Sequence, residues 1–179
     1  AKLVRYADDF VLLCRPGDGS ALYQRLKGYL QRKGLKLNET KTRVVDVRRE
    51  SFRFLGFEVG WRQSRTTGRP FPHVEPSKKA RQKLRDAVRR ELNHWTTGRS
   101  CMEAIRTVNR VVRGWSQYFH YGHCTRTFVR MQDWLRQRYR KWLWKKYGRT
   151  LGYHTFFTND RLQGQYQLFT LPSYAPRNR

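Results

Sequence analysis

Two adjacent carboxylates near the amino terminus are the sharpest candidate for a catalytic site. Asp8 and Asp9 end the sequence YADD at residues 6–9. Neighbouring carboxylates repel each other unless a cation neutralises them, so the pair could hold Mg²⁺, and two-metal phosphoryl transfer needs such a cluster to hold the attacking and leaving oxygens. Aspartate is also common in turns, where its side chain bonds to the local backbone. On these four residues alone, a structural turn is the favoured interpretation.

The residues around this motif predict a β-hairpin followed by a helix. Short apolar runs cover residues 3–6 and 10–14, and the turn-forming sequence PGDG follows at residues 16–19. Apolar residues with helical spacing then predict a helix from residue 20 to about Gly34. These elements would hold the carboxylates at the tip of a small sheet.

More strands are predicted before the chain becomes helical. Three valines within residues 44–47 suggest a strand, and the aromatic residues of 52–59 alternate as strand residues do. The alternation changes phase at Leu55-Gly56, where a bulge or a sharp bend would restore it. Residues 61–72, rich in Arg, Thr, Gly and Pro, are expected to form a loop or the tip of a hairpin.

Helical periodicity dominates from Pro76-Ser77 to residue 147. Ser100 and Glu103 form a candidate capping box for the second of three predicted helices. Three amphipathic helices of similar length imply a small bundle packed on their apolar faces. The apolar stripes are Ala80, Leu84, Val88, Leu92 and Trp95; Ile105, Val108, Val112, Trp115 and Phe119; and Phe128, Met131, Leu135, Tyr139 and Trp142.

The charge of the chain indicates a polyanionic partner. Its 179 residues include 39 Lys and Arg against 13 Asp and Glu, a formal net charge of +26. Self-repulsion on that scale is relieved by a polyanion, so nucleic acid is the leading candidate. No apolar run approaches the length of a bilayer span and no signal segment opens the chain, so no membrane partner is expected.

Basic residues on the outer faces of the second and third predicted helices are the candidate RNA contacts. Each alone is by default a solvated surface charge. Together they form a field suited to structured RNA, because RNA helices are recognised largely through shape, phosphates and 2′-hydroxyls. The candidates are Arg106, Arg110, Arg113, Arg130, Arg136, Arg140, Lys141 and Lys145.

The order of the amino-terminal motifs resembles the second half of the palm of group II intron-type reverse transcriptases. After YADD and the predicted helix come GLKLNETKT at residues 34–42 and FRFLGF at residues 52–57. The resemblance implies that Asp8 and Asp9 are catalytic metal ligands with Mg²⁺ as the cofactor. It also implies nucleotide or primer contacts, although a lysine among so many basic residues is as readily a solvated charge. These contacts are Tyr6, Lys41, Leu55 and Gly56.

The sequence RGWSQYF at residues 113–119 resembles the maturase-specific domain, which follows the thumb in group II intron proteins and binds intron RNA. Gly114 within a helix costs about 1 kcal/mol relative to alanine, which suggests close approach of another backbone or of nucleic acid. Packing between helices is the alternative explanation. Trp115 and Phe119 are expected to belong to the core rather than to a base-stacking surface.

The predicted fold class is α+β. A partial antiparallel reverse transcriptase palm occupies residues 1–75, an all-α thumb and maturase bundle 76–147, and an irregular tail 148–179. In the tail, aromatic residues are expected to pack as extended chain and a short strand.

The function implied by the resemblance is RNA-templated DNA synthesis coupled to binding of group II intron RNA for splicing, with a DNA target. The chain is expected to be part of a longer protein, because Ala1 stands where an initiator Met would be expected and residues 2–6 already predict a strand. The earlier palm motif, which supplies another metal-binding aspartate in the family, is absent from these residues. A separate upstream reverse transcriptase half would then have to complete the polymerase, and this chain alone would bind RNA. A bacterial-type cytoplasmic location is expected, with nucleoid association as the alternative.

Two other functions remain open at this stage. One is a non-enzymatic basic RNA-binding protein in which YADD is only a turn, and metal dependence at Asp8 and Asp9 would distinguish it. The other is a fragment of a retron or CRISPR-associated reverse transcriptase, against which the segment 113–119 favours the intron type.

An incomplete sheet exposes an edge and apolar surface, so the segment 1–75 is predicted to have low stability by itself. In a limited protease digest followed by mass spectrometry, cleavage should concentrate in this segment while the helical region survives. A digest that spares residues 1–75 would contradict the prediction.

Overall fold

The computed structural model describes residues 1–147 and 153–172. Within them the chain forms six α-helices, one short 3-10 helix and two small sheets, which confirms the mixed α and β content expected from the sequence. Two compact units are present: one contains Ala1–Phe54 with Val59–Pro72, and the other contains Leu55–Glu58 with His73–Arg179. None of the helices in the described residues combines the length and apolarity that a bilayer crossing requires.

The hairpin predicted around YADD is confirmed. Strand β1 (Lys2–Tyr6) pairs antiparallel with strand β2 (Asp9–Leu13). The two-residue turn between them begins with Ala7, whose φ of +52° is unusual for a residue other than glycine. The Nε of Arg5 donates a hydrogen bond to the Ala7 carbonyl at 2.7 Å, which supports the turn from within the hairpin.

The helix α1 (Gly19–Arg32) forms where it is predicted and ends before Gly34, whose φ is +69°. The strand predicted at residues 44–47 is wrong, because this stretch has neither helix nor strand. The Asp46 carboxylate accepts a hydrogen bond from the backbone N–H of Arg48 at 3.0 Å. A local side-chain bond of this kind favours a turn over a strand.

A second sheet has the strand order β3 (Phe52–Phe54), β4 (Phe57–Gln63), β5 (Pro70–Pro76). The sharp bend predicted at Leu55-Gly56 is confirmed, with φ values of +49° and +80°. Positive φ at both central residues is what a two-residue type I′ hairpin turn requires. Strands β4 and β5 extend into residues 61–72, the stretch predicted as a loop or hairpin tip. The tip itself lies between these two strands.

Three long helices build the core of the second unit: α2 (Lys78–Glu91), α3 (Cys101–Tyr118) and α4 (Thr125–Tyr147). Helix α2 starts at the predicted place because the Ser77 hydroxyl accepts a hydrogen bond from the Ala80 N–H at 3.2 Å. The capping box predicted at the start of α3 is wrong, since the Ser100 side chain makes no capping bond. Apart from Trp95 and the partly buried Trp115, the residues of the three predicted stripes are buried.

Trp95 is the exception to the α2 stripe, with 84% of its surface exposed. The helix ends at Glu91, and Trp95 begins a short 3-10 helix, Trp95–Gly98. Side-chain hydrogen bonds of Asn93 and Thr96 end the α-helix at this point. The Thr96 N–H donates to the Asn93 side-chain oxygen at 3.0 Å, and the Thr96 hydroxyl donates to the Glu91 carbonyl at 2.8 Å. Side-chain bonds of this kind compete with continued helix.

The carboxy-terminal segment forms two short helices, α5 (Tyr153–Phe156) and α6 (Asn159–Gln163), so the expected short strand is wrong for residues 153–172. Thr158 starts α6 because its hydroxyl accepts a hydrogen bond from the Arg161 N–H at 3.3 Å. Residues 148–152 and 173–179, including Gly148 and Gly152, lie outside the described residues. Five side chains of this segment are buried in the main core: Phe157, Leu162, Tyr166, Leu168 and Leu171.

The carboxy-terminal segment should therefore contribute as much stability as a core helix. Phe157 is fully buried, with its ring centroid 6.4 Å from that of Tyr166. Replacing Phe157 by alanine is expected to lower the free energy of unfolding by about 3–5 kcal/mol, measured by urea denaturation. Val129→Ala is the matched control, because Val129 is 50% exposed on α4 and its loss should be nearly neutral. Equal effects of both variants would show that the segment is not part of the core.

Candidate nucleic-acid interface

Asp8 and Asp9 lie exposed at the turn of the first hairpin. Mg²⁺ is often held by one or two carboxylates, with water and phosphate oxygens completing its octahedral shell. Across residues 1–147 and 153–172, no group of three or more His, Cys, Asp or Glu side chains is placed to hold a metal ion. The pair therefore fits Mg²⁺ only with oxygen ligands from elsewhere, and the metal stays a prediction.

Tyr6 and Lys41, predicted to contact nucleotide or primer, are exposed on the first unit. Tyr6 ends β1, while Lys41 lies in a turn organised by Asn38. The Asn38 side-chain oxygen accepts hydrogen bonds from the Thr40 hydroxyl at 2.7 Å and from the Lys41 N–H at 3.2 Å. This turn leaves the Lys41 ammonium on the surface, and its role stays a prediction.

The Leu55-Gly56 turn belongs to the second unit and packs against the end of α3. Its Leu55 carbonyl accepts a hydrogen bond from the Tyr118 hydroxyl at 3.0 Å. A Cβ at Gly56 would lie 3.1 Å from the Phe119 ring. Glycine therefore permits both the positive φ and the close approach of this ring to the backbone. The structure thus gives these two residues a packing role, and their contact with a primer strand stays a prediction.

The predicted basic residues of α3 lie on the side of the helix opposite its buried face. Arg106, Arg110 and Arg113 are exposed, whereas Val108 and Val112 are buried. Arg106 and Arg110 make no ion pair within the part of the chain that the structure describes. The Arg113 guanidinium lies 5.2 Å from the centroid of the Phe169 ring, a cation–π contact that fixes its position.

The predicted basic residues of α4 divide into two groups. Arg130, Lys141 and Lys145 are exposed and have no ion-pair partner among the described residues. Arg136 pairs with the Asp133 carboxylate at 3.5 Å. Arg140 donates to the Phe157 carbonyl at 2.6 Å and to the Asn159 side chain, so it anchors the carboxy-terminal segment. The first group is free to meet a polyanion.

Gly114 lies exposed within α3, and a Cβ built on it would meet no described atom within 4 Å. Packing between helices therefore does not explain this glycine. The alternative interpretation from the sequence, close approach of a partner, remains compatible with the open space beside it.

Sequence reasoning missed an arginine cluster between α2 and α4, formed by Arg85, Arg89 and Arg138. The guanidinium carbons of Arg85 and Arg89 each lie 5.8 Å from the centroid of the Trp134 ring. Asp86 is the only ion-pair partner that the described residues provide, at 2.9 Å from Arg89. The Nε atoms of Arg85 and Arg138 are buried with no hydrogen-bond partner among the described residues. Burial, with a smaller effect of nearby Arg89, lowers the pKa of Arg138.

The spacing of these residues contained a usable signal. Arg85 and Arg89 are four positions apart on α2, and Trp134 and Arg138 are four positions apart on α4, so each pair shares a helix face. The sequence does not show how α2 packs against α4, and this packing brings the two faces together.

Two titratable groups of the helical unit are held in their neutral forms. Burial raises the pKa of the Cys124 thiol. A side-chain hydrogen bond to Cys101, at 2.9 Å, together with burial raises the pKa of Tyr147 to about 12. Reactive thiols need a lowered pKa, so these groups are suited to packing and not to nucleophilic chemistry. The features of this unit that can act on a partner are its surface cations and aromatic rings.

A comparison with protein families identifies the helical unit. Residues 77–158 match the family model described as the group II intron, maturase-specific domain. The matched region starts at the cap of α2 and continues through α5. No curated protein matches the chain. Residues 77–158 are therefore similar to the group II intron maturase-specific domain, which confirms the maturase resemblance of the sequence RGWSQYF.

Proposed function

We propose that this chain binds group II intron RNA through the outer faces of α3 and α4 and helps that RNA fold for splicing. The observation that carries the proposal is a set of exposed cations without ion-pair partners, on faces turned away from the core. The maturase-specific domain independently supports an intron RNA partner. The five cations are Arg106, Arg110, Arg130, Lys141 and Lys145.

The charges suit a structured RNA because they are presented by rigid helices. Arg106 and Arg110 are one helical turn apart, and Lys141 and Lys145 repeat this spacing on α4. Phosphates held at fixed positions in a folded RNA can meet such an array without further ordering of the protein, whereas a flexible strand must lose conformational freedom. Shape as well as charge then contributes to the affinity.

Gly114 supports the same face of α3. It follows Arg110 by four residues, so the exposed surface beside this arginine carries no side chain at the next turn. A helix-interior glycine costs about 1 kcal/mol relative to alanine, and the described residues offer no compensating contact. An RNA backbone lying close to α3 would provide one.

Neutralising two of the cations should weaken RNA binding in a salt-dependent manner. For the variant Arg106→Gln/Arg110→Gln, we expect the slope of log K against log salt to fall by roughly 1 for each lost phosphate contact. Fluorescence anisotropy with a structured intron RNA and an unstructured RNA of equal length measures this across a salt series. The unaltered chain should prefer the structured RNA, and the preference should persist at high salt.

Arg65→Gln/Arg69→Gln is the matched control, since it removes the same charge from the exposed β4–β5 hairpin. If the control reduced the salt slope as much as the α3 variant, binding would depend on net charge alone. Equal binding of the unaltered chain to both RNAs, lost as salt rises, would refute the proposal for this chain.

A second candidate function is RNA-templated DNA synthesis on a DNA target, with Asp8 and Asp9 holding Mg²⁺. The exposed hairpin turn favours it, because adjacent carboxylates there are accessible to a metal ion and to phosphates. Polymerisation would also need a further metal-binding carboxylate besides Asp8 and Asp9. Without it the pair can bind a cation but cannot fix nucleotide geometry.

Metal binding at this turn is testable in the isolated chain. Addition of Mn²⁺ as a paramagnetic substitute for Mg²⁺ should broaden the amide NMR signals of residues 6–10 first, and Asp8→Asn/Asp9→Asn should abolish that selectivity. Asp18→Asn is the control, since Asp18 is an exposed turn aspartate outside the motif. Unselective broadening in the unaltered chain would leave YADD as a structural turn and favour the non-enzymatic RNA-binding alternative.

A further inference from the structure

The connection between α2 and α3, residues 92–99, presents an exposed aromatic pair. Trp95 is 84% exposed, and its ring centroid lies 4.1 Å from that of His94. Tryptophan usually buries most of its large apolar surface, so exposure of this degree calls for a ligand that covers the ring. This connection is named the interhelical turn below.

The interhelical turn is fixed by three side chains of α4. Arg138 donates to the Leu92 carbonyl, and the Trp142 indole N–H donates to the Thr96 hydroxyl at 3.1 Å. The Lys146 ammonium donates to two further carbonyls of the turn, each at 2.6 Å. Exposure of Trp95 is thus a property of a well-anchored backbone. A backbone held in this way loses little conformational entropy when a ligand covers the ring.

The arginine cluster adjoins this turn, because Arg138 belongs to both. Of its three guanidinium groups, only that of Arg89 has a carboxylate partner among the described residues, Asp86. The accumulated positive charge and the two orphaned Nε atoms are destabilising unless an anion is nearby. Arginine is suited to this task, since its planar fork can bind two phosphate oxygens at once.

We propose that Trp95 stacks on an unpaired base of the bound RNA while the arginine cluster holds an adjacent phosphate. A nucleotide combines a flat aromatic base with an anionic group, which matches the two features of the site. An acidic peptide would satisfy the arginines but would gain less from an exposed indole. This inference rests on the proposed RNA binding and specifies a nucleotide that must be unpaired.

The test compares an RNA duplex that carries one bulged adenosine with the same duplex without the bulge. We expect the unaltered chain to bind the bulged duplex about tenfold more tightly, since base–aromatic stacking contributes on that order. Trp95→Ala should bind both duplexes equally, whereas Trp95→Phe should keep most of the preference. Arg89→Gln should weaken binding to both duplexes and reduce the salt slope, because it removes a phosphate contact.

The controls separate this inference from a general loss of fold or binding. Trp95→Ala should leave the Tm unchanged, because the ring packs on little else. Trp61→Ala removes another exposed tryptophan, 44% exposed on β4, and should retain the preference for the bulge. If Trp95→Ala also retained the preference, or Trp61→Ala lost it equally, the stacking role would be overturned. If the unaltered chain did not bind structured RNA, the proposed function would be overturned, and this inference with it.

Discussion

Burial of one apolar face of each long helix is the constraint on which the rest of the structure depends. A formal charge of +26 opposes compaction, and the core of the helical unit must offset it. Val88, Val108 and Tyr139 are fully buried on three different helices, and Phe157 closes the same core from the carboxy-terminal segment. Because these positions are filled by apolar side chains, the cations are forced to the outer faces, where a polyanion can reach them.

Some polar side chains of the helical unit bind backbone groups of the carboxy-terminal segment, which removes these side chains from the RNA-binding surface. The Asn109 side chain donates to the Gln167 carbonyl at 2.7 Å and accepts from the Phe169 N–H at 2.8 Å, so it pairs with extended backbone as another strand would. Gln132 accepts from the Leu171 N–H at 2.8 Å. The bonds to the N–H groups of Phe169 and Leu171 satisfy backbone donors that would otherwise be wholly or partly buried without partners. Counting polar side chains therefore overstates the surface available to RNA.

The first unit follows a different principle, since no residue of Ala1–Phe54 or Val59–Pro72 is buried. Its hairpin and helix are held by backbone hydrogen bonds and turn residues such as Ala7 and Gly34. Elements of this kind have little apolar surface with which to offset conformational entropy. The candidate catalytic carboxylates thus lie in the part of the chain least able to position them alone, whereas the candidate RNA contacts lie on a packed scaffold.

Features that depend on local periodicity and turn chemistry are predictable from the amino-acid sequence alone. The stripes of α2, α3 and α4, the Ser77 cap, the first hairpin and the bend at Leu55-Gly56 all follow from spacing and residue type over a few positions. The tertiary structure alone decided how distant segments use their side chains. Trp95 does not join the buried face of α2, because Asn93 and Thr96 end the helix before it and an α4 side chain bonds to the turn. Likewise, Arg140 anchors the carboxy-terminal segment and the arginine cluster forms because α2 faces α4, and such pairings between distant segments leave no periodic signal in the chain.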